Sequence, residues 1–145
     1  MKKYNLPSNC IQCQTIIDTK HPLCRECQDW FEDILDYSSA TDEAIDLYFA
    51  LRLRGVPAIL EKSDGFKTID IAVPHAKVNI EVDGGHYNYS AKQAMSDLKR
   101  TLFSFKKGYS TLHIPNSLAK YDLEQAADLI TEFLNESRTH VIKKY

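Results

Sequence analysis

The chain has 145 residues and a formal net charge of −2, with 43% hydrophobic and 26% charged residues. This composition is typical of a soluble globular protein with one medium-sized core and room for a small additional module. No apolar run approaches the roughly 20 residues of a transmembrane helix, and the lysine-containing N-terminus lacks the apolar segment of a secretory signal. We therefore expect a cytoplasmic protein without a membrane partner.

The charges are distributed unevenly along the chain. Residues 36–70 hold seven acidic and four basic residues, whereas residues 92–107 hold five basic and one acidic residue. The net charge by itself does not indicate a nucleic-acid-binding protein. An acidic site beside a basic helix would suit a metal-dependent enzyme that acts on a phosphate backbone, although salt-bridged proteins show the same unevenness.

All four cysteines lie near the N-terminus, in two CxxC pairs separated by ten residues: Cys10 and Cys13, then Cys24 and Cys27. Tetrahedral zinc takes four thiolates, and each CxxC turn supplies two of them. The spacing predicts a structural zinc ribbon over residues 1–36. Two disulfides or four free thiols are the alternatives, and disulfides do not suit a cytosolic chain.

A helix is predicted over residues 42–54, where apolar side chains recur with helical spacing. Thr41 is a candidate N-cap, and Gly55 and Pro57 end the helix. Glu43 lies in its first turn. An acid at this position complements the helix dipole, or alternatively reaches a metal site formed by later residues.

Three apolar segments rich in β-branched residues follow, and they predict an antiparallel meander. A helix, a strand joined by a parallel crossover and a last amphipathic helix complete the predicted order. The tail from residue 137 is expected to be mobile or an edge element. The predicted strands are 57–63, 67–73, 77–83 and 109–114, and the predicted helices are 90–107 and 122–135.

Acidic residues interrupt two of these buried segments. Asp70 lies within TIDIAV, and Glu81 and Asp83 lie within VNIEVDG. Because side chains alternate along a strand, Glu81 and Asp83 share a face. Several carboxylates near the ends of adjacent core strands cannot all ionise favourably unless a cation lies among them. The pattern therefore predicts a divalent-metal site.

In this order the elements resemble the PD-(D/E)XK nuclease superfamily, whose αβββαβ core carries a carboxylate on the second strand and an acid-x-base motif on the third. The local motifs resemble the branch of proteins related to very-short-patch-repair endonucleases, over about residues 40–115. The resemblance implies a restriction-endonuclease-like α/β fold with a mixed sheet for residues 37–145, with the zinc ribbon as an added module. The matching motifs are Glu43, Asp70, EVDGGH at 81–86, DLKR at 97–100 and Gly108-Tyr109.

The resemblance also implies a site. Asp70, Glu81 and the carbonyl of Val82 would hold one or two Mg²⁺ (or Mn²⁺) ions, which suit oxygen ligands and phosphate substrates. His86 would act as a general base or hold a phosphate; the alternative is a hydrogen-bonded histidine at a turn. Asp83 stands where the superfamily usually has lysine. The implied catalytic residues are Glu43, Asp70, Glu81, Asp83 and His86.

The predicted helix over 90–107 carries lysines every seven residues. This stripe is placed to contact a DNA backbone, but a solvated face is the alternative. Asp97 and Arg100 belong to the resembling motif and could equally form a simple salt bridge. The candidate DNA-binding residues are Lys92, Lys99, Arg100 and Lys106.

Two functions fit these observations. The first is a Mg²⁺-dependent DNA endonuclease that hydrolyses phosphodiester bonds through a carboxylate metal site. The second is a catalytically inactive protein that binds nucleic acid or a protein partner and retains the nuclease fold. An interaction module built only around the zinc ribbon would leave Glu81 and Asp83 unexplained. A homodimer is compatible with the first function, since many nucleases of this shape cut both strands as dimers.

Overall fold

A computed structural model describes residues 8–17, 21–63, 65, 68–83 and 107–143, and beyond residue 135 it describes only the backbone of the last helix. The chain divides into two compact units, Met1–Ala40 and Thr41–Tyr145. None of the helices in the described ranges is long and apolar enough to cross a membrane. The predicted helix over 90–107 lies outside the described residues except for residue 107, which is in a turn.

The N-terminal unit is built on a short bridge and a helix. Asn9 and Ile16 form an isolated antiparallel bridge that encloses the first cysteine pair. Helix α1, Arg25–Tyr37, begins directly after Cys24. The second cysteine pair therefore lies at the start of a helix, rather than on a second extended turn like the first. Cys10, Ile11, Leu23 and Cys27 are the buried apolar residues of the described part of this unit.

Helix α2, Asp42–Leu53, confirms the first predicted helix of the larger unit. The Thr41 hydroxyl accepts a hydrogen bond from the backbone N–H of Ala44 at 3.2 Å, as expected of an N-cap. Gly55 follows the helix with φ +83°, a left-handed conformation that glycine adopts without strain. Helix α2 contacts the first three strands and both later helices.

The four strands form one sheet in the order β1-β2-β3-β4. The first three strands pair antiparallel, and β4 pairs parallel to β3. The predicted meander and the predicted parallel pairing of the last strand are confirmed. A 3₁₀ turn at Pro74–Ala76 connects β2 to β3. The strands are β1 Ile59–Ser63, β2 Thr68–Val73, β3 Val78–Asp83 and β4 Ser110–Pro115.

Two helices complete the described chain, α3 at Asn116–Tyr121 and α4 at Leu123–Lys143. Helix α3 was not expected, and α4 continues past residue 137, so the prediction of a mobile or edge tail is wrong up to Lys143. The predicted inward positions of α4 are buried, with the exception of Phe133, which is 41% exposed. These buried positions are Leu123, Ala126, Ala127, Ile130 and Leu134.

Arg54, at the C-terminal end of α2, joins that helix to α4. Its guanidinium pairs with Glu124 and with Asp128, the latter at 2.7 Å. The same group donates a hydrogen bond to the carbonyl of Ala50 at 2.8 Å. These contacts fix the end of α2 against the first turns of α4, beside the apolar contacts between the two helices.

Candidate functional site

The sheet has one apolar face and one face that carries ionisable residues. Ile69, Ile71 and Ile80 are buried and share the apolar face. Because side chains alternate, Asp70 and Glu81 point to the other face. This alternation is the local reason why acids can occur within otherwise apolar strands.

Strand register aligns four ionisable residues across this face, one from each strand. Glu61 lies between the paired positions of β1 and is opposite Asp70. Continuing the Ile71–Ile80 pairing by one residue places Asp70 opposite Glu81. Glu81 is in turn the register partner of His113 on β4. We refer to Glu61, Asp70, Glu81 and His113 as the ionisable row.

Asp70 and Glu81 form the centre of the row. The Asp70 carboxylate accepts a hydrogen bond from the backbone N–H of Val82 at 2.9 Å. Glu81 is only 7% exposed, and its Oε1 atom is not accessible to solvent. Burying a carboxylate is costly unless hydrogen bonds or a cation stabilise its charge. These two acids, which were named from the sequence, therefore occupy neighbouring strands on one face.

Glu61 is an acid that sequence reasoning did not single out. It has φ +56°, a backbone conformation that non-glycine residues rarely adopt. Burial raises the pKa of its carboxyl, and the negative charge of Asp70 raises it further. The hairpin register was the signal that could have identified it, because pairing Ser63 with Thr68 places Glu61 opposite Asp70.

His113 is the second residue that sequence reasoning missed. Its Nδ1 atom lies 3.3 Å from Oδ2 of Asp83, and the two side chains are 47% and 55% exposed. Asp83, which the resemblance implies as a catalytic residue, contacts a histidine of β4 in the structure. Only the parallel register of β3 and β4 brings this pair together, so no local motif could have revealed it.

The remaining candidate residues are less defined. Glu43 lies in the first turn of α2 and is half-buried, and its proposed link to the acids stays a prediction. His86, Lys92, Lys99, Arg100 and Lys106 lie outside the described residues. Within the described ranges, the four cysteines form a group of side chains that could hold a metal ion, whereas the sheet acids and His113 do not form such a group. The magnesium ligands therefore stay a prediction.

The four cysteines form a compact cluster in the N-terminal unit. The sulfur atoms all lie within 4.8 Å of one another, and Sγ of Cys13 is 3.6 Å from Sγ of Cys24. Tetrahedral zinc with Zn–S bonds of about 2.3 Å separates its sulfurs by roughly 3.8 Å, whereas a disulfide requires about 2.05 Å. All four thiols are free. The cluster could therefore hold a metal ion such as zinc.

The thiols of this cluster differ in acidity. Hydrogen bonds with the side chain and backbone of Thr15 lower the pKa of Cys13 to about 6. Burial raises the pKa of Cys27 well above its ordinary value, and the neighbouring thiols raise it further. A buried thiol next to a thiolate stays protonated unless a cation compensates the charge, so holding four thiolates together requires a metal.

The mixed four-stranded sheet with its helices is an α/β fold. No family model and no curated protein matches the sequence. Among solved structures, the chain is similar to the catalytic domain of the homing endonuclease I-Bth0305I, with a TM-score of 0.55 and 17% sequence identity. The match covers 68% of this chain and 98% of that domain. At this identity the similarity establishes the fold; membership of the very-short-patch-repair branch stays a prediction.

Proposed function

We propose that this protein is a divalent-metal-dependent DNA endonuclease that hydrolyses phosphodiester bonds. The observation that carries the proposal is the pair Asp70 and Glu81 on neighbouring strands, with Glu81 buried, in a fold similar to an endonuclease catalytic domain. A buried carboxylate on a sheet face gains most from a cation, which offsets its desolvation.

In this proposal Asp70, Glu81 and the backbone carbonyl of Val82 hold Mg²⁺ or Mn²⁺. Oxygen donors are the ligands these ions prefer, and such sites leave room for water and phosphate. When bound, the ion supplies positive charge that activates water and stabilises the charge that develops on the phosphate. Glu43 contributes a further acid from α2. The proposal also includes membership of the PD-(D/E)XK superfamily and a cytoplasmic location.

Recognition of DNA is assigned to the basic residues that follow the sheet acids in sequence. Lys92, Lys99, Arg100 and Lys106 contact the phosphate backbone without reading sequence, and His86 acts at the scissile phosphate. Such contacts make affinity fall as salt rises. Many nucleases of this shape cut both strands as dimers, so a homodimer is part of the proposal.

The cysteine cluster is assigned a structural zinc ion. Cys10, Cys13, Cys24 and Cys27 complete a four-thiolate set, which leaves no open position for a substrate. The predicted boundaries, residues 1–36 for this module and 37–145 for the nuclease domain, are close to the two compact units of the chain. Zinc would stabilise a segment that has a small apolar core of its own.

The decisive experiment combines cleavage with metal binding. The full-length protein is incubated with Mg²⁺ or Mn²⁺ and a panel of supercoiled, single-stranded, mismatched and branched DNA. Asp70→Asn and Glu81→Gln keep side-chain size while removing charge. Glu132→Gln, which removes an exposed acid of α4, is the matched control. Calorimetric titration with Mn²⁺ reports the ion directly.

We expect the wild type and Glu132→Gln to bind Mn²⁺ and cleave, and both site variants to lose binding and cleavage. Equal cleavage by all four proteins would indicate a contaminating nuclease and would contradict the proposal. DNA binding without cleavage by any protein would instead support the second function, a binding protein that retains the nuclease fold.

A further inference from the structure

The contact between His113 and Asp83 has no role in the function proposed above. We propose that His113 is the proton acceptor for the attacking water and that Asp83 is its positioning residue. This inference rests on the proposed endonuclease function and deepens it.

The sheet places His113 next to the centre of the ionisable row. His113 is the register partner of Glu81 in the parallel pairing of β3 and β4. Parallel partners point to the same face, and neighbouring strands lie about 4.8 Å apart. The imidazole and the Glu81 carboxylate therefore project from adjacent positions toward the same side of the sheet.

Asp83 sets the orientation of the imidazole. Its Oδ2 atom lies 3.3 Å from Nδ1 of His113. A neutral imidazole that donates its Nδ1–H to this carboxylate carries its lone pair on Nε2. A carboxylate that holds a histidine in this way fixes the tautomer and the ring orientation, so that Nε2 is the nitrogen that can take up a proton.

Exposure separates the roles of the two neighbours on β3 and β4. The side chain of His113 is 47% exposed, so Nε2 can meet water and a DNA phosphate. Glu81 is 7% exposed and is suited to holding an ion rather than exchanging protons with solvent. In this proposal Asp83 positions His113, and it does so from the sequence position where the superfamily usually has lysine.

The resulting step is a simple hydrolysis. The water oxygen forms a bond to phosphorus while the bond from phosphorus to the leaving oxygen breaks. One water proton moves to Nε2 of His113, and the electron pair of the broken bond goes to the leaving oxygen, which takes a proton from solvent. His113 then returns its proton to solvent, so the products are a phosphomonoester and an alcohol.

The test uses four new variants of the full-length chain, together with Asp70→Asn from the experiment above. His113→Ala removes the imidazole, and His113→Asn keeps a polar side chain of similar reach. Asp83→Asn removes the positioning charge. His75→Ala is the matched control, because His75 is an exposed histidine on the 3₁₀ turn before the opposite end of β3. Single-turnover cleavage is measured with Mn²⁺, DNA affinity with Ca²⁺ in place of Mn²⁺, and folding by near-UV circular dichroism.

We expect both His113 variants to lose cleavage by about 10²–10⁴-fold, the range for a general base, with DNA affinity unchanged. The cleavage rate of Asp83→Asn should fall less, by roughly tenfold to a hundredfold, because the imidazole of His113 remains. Added imidazole should restore part of the activity of His113→Ala and none of that of Asp70→Asn. The His75 control should cleave as the wild type does.

The outcomes separate this inference from the proposed function. Cleavage by the wild type together with full activity in His113→Ala overturns the role of His113 and leaves the nuclease proposal intact. Failure of imidazole to restore any activity, or an equal loss of DNA affinity, also overturns it. Absence of cleavage by the wild type overturns both proposals.

Discussion

The carboxylate of Asp70 accepts a hydrogen bond from the backbone N–H of Val82, at 2.9 Å. This bond lies just beyond Ile71 and Ile80, the last paired residues at this end of β2 and β3. The side chain therefore takes the place of a strand carbonyl where the ladder ends, and it satisfies a donor that would otherwise lack a partner in the sheet. Asp70 consequently stabilises the end of β3 in addition to its proposed role in metal binding.

Two substitutions of Asp70 should separate these contributions. Both Asp70→Asn and Asp70→Ala remove the charge, but asparagine keeps an oxygen that can accept the Val82 N–H. We expect the alanine variant to be less stable than the asparagine variant by about 1–2 kcal/mol, the consequence of an unsatisfied backbone donor. Urea denaturation measures the difference. Equal stability of the two variants would show that the hydrogen bond contributes nothing.

Glu61 should make the stability of the protein depend on pH. Its pKa is raised by burial and by Asp70, so its ionised form is less favourable in the folded state than in the unfolded chain. The resulting destabilisation is fully present above the raised folded-state pKa and disappears as the pH falls through the ordinary glutamate value of 4.5. Glu61→Gln should therefore melt at a higher temperature than the wild type at pH 7, and the difference should vanish in acid.

The matched control for Glu61 is Glu132→Gln on α4, for which we expect no pH-dependent difference from the wild type. The double variant Glu61→Gln, Asp70→Asn should change stability by less than the sum of the two single changes. The reason is that part of the destabilisation caused by ionised Glu61 comes from the Asp70 charge. A gain in melting temperature that stays constant from pH 7 to acid would contradict this interpretation.

Arg54 should contribute to stability through its contacts with α4. Its side chain is 19% exposed, while those of Glu124 and Asp128 are 51% and 70% exposed. Because each ion pair with such an exposed acid is worth less than about 1 kcal/mol, Arg54→Ala should cost roughly 1–2 kcal/mol in total. Arg54→Met keeps an apolar stem and controls for lost packing. The difference in unfolding free energy between the wild type and Arg54→Met should become smaller in 1 M salt, because salt screens the ion pairs. A difference that does not change with salt would argue against ion pairing.

Removal of the metal predicted at the cysteine cluster should destabilise the N-terminal unit. We expect Cys27→Ser to lose about one equivalent of zinc, measured by elemental analysis, since three thiolates and a hydroxyl form a weaker site. Glu26→Gln changes an exposed residue between Cys24 and Cys27 and should retain the ion. A strong chelator should reduce the helical signal of the wild type. A protein purified without zinc and with unchanged circular dichroism would contradict the prediction.

The order of elements was largely predictable because each one has a strong local pattern. The Thr41 cap, the apolar spacing of α2 and Gly55 at its end determined that helix. Alternating β-branched residues and short turns determined the meander. Helix α1, the short α3 and the continuation of α4 past residue 137 were missed. Residues 1–36 were assigned to a zinc ribbon from the cysteine spacing alone, and the chain after Pro115 and the polar C-terminal segment carry weak apolar periodicity.

The site was predictable only where its residues break a local rule. Asp70 and Glu81 stand out because acids are unfavourable in buried strands. The sequences around Glu61 and His113 are typical of exposed strand positions. Their place in the candidate site depends on the pairing register of the strands. Register depends on turn length and on a crossover between distant segments, and neither is encoded in a short window of sequence.

The parallel pairing of β3 and β4 also has a consequence for folding. Ile71 pairs with Ile80 across a short turn, whereas Ile80 pairs with Leu112 across a much longer stretch of chain. Closing the longer loop costs about 1 kcal/mol more in chain entropy than closing the hairpin. Because non-local pairings form slowly, we expect β1–β3 to form first and β4 to dock later. The contact between Asp83 and His113 would then form only in the last step of folding. A partly folded chain in which β4 has not yet docked would have the acids of β2 and β3 in place, but not His113.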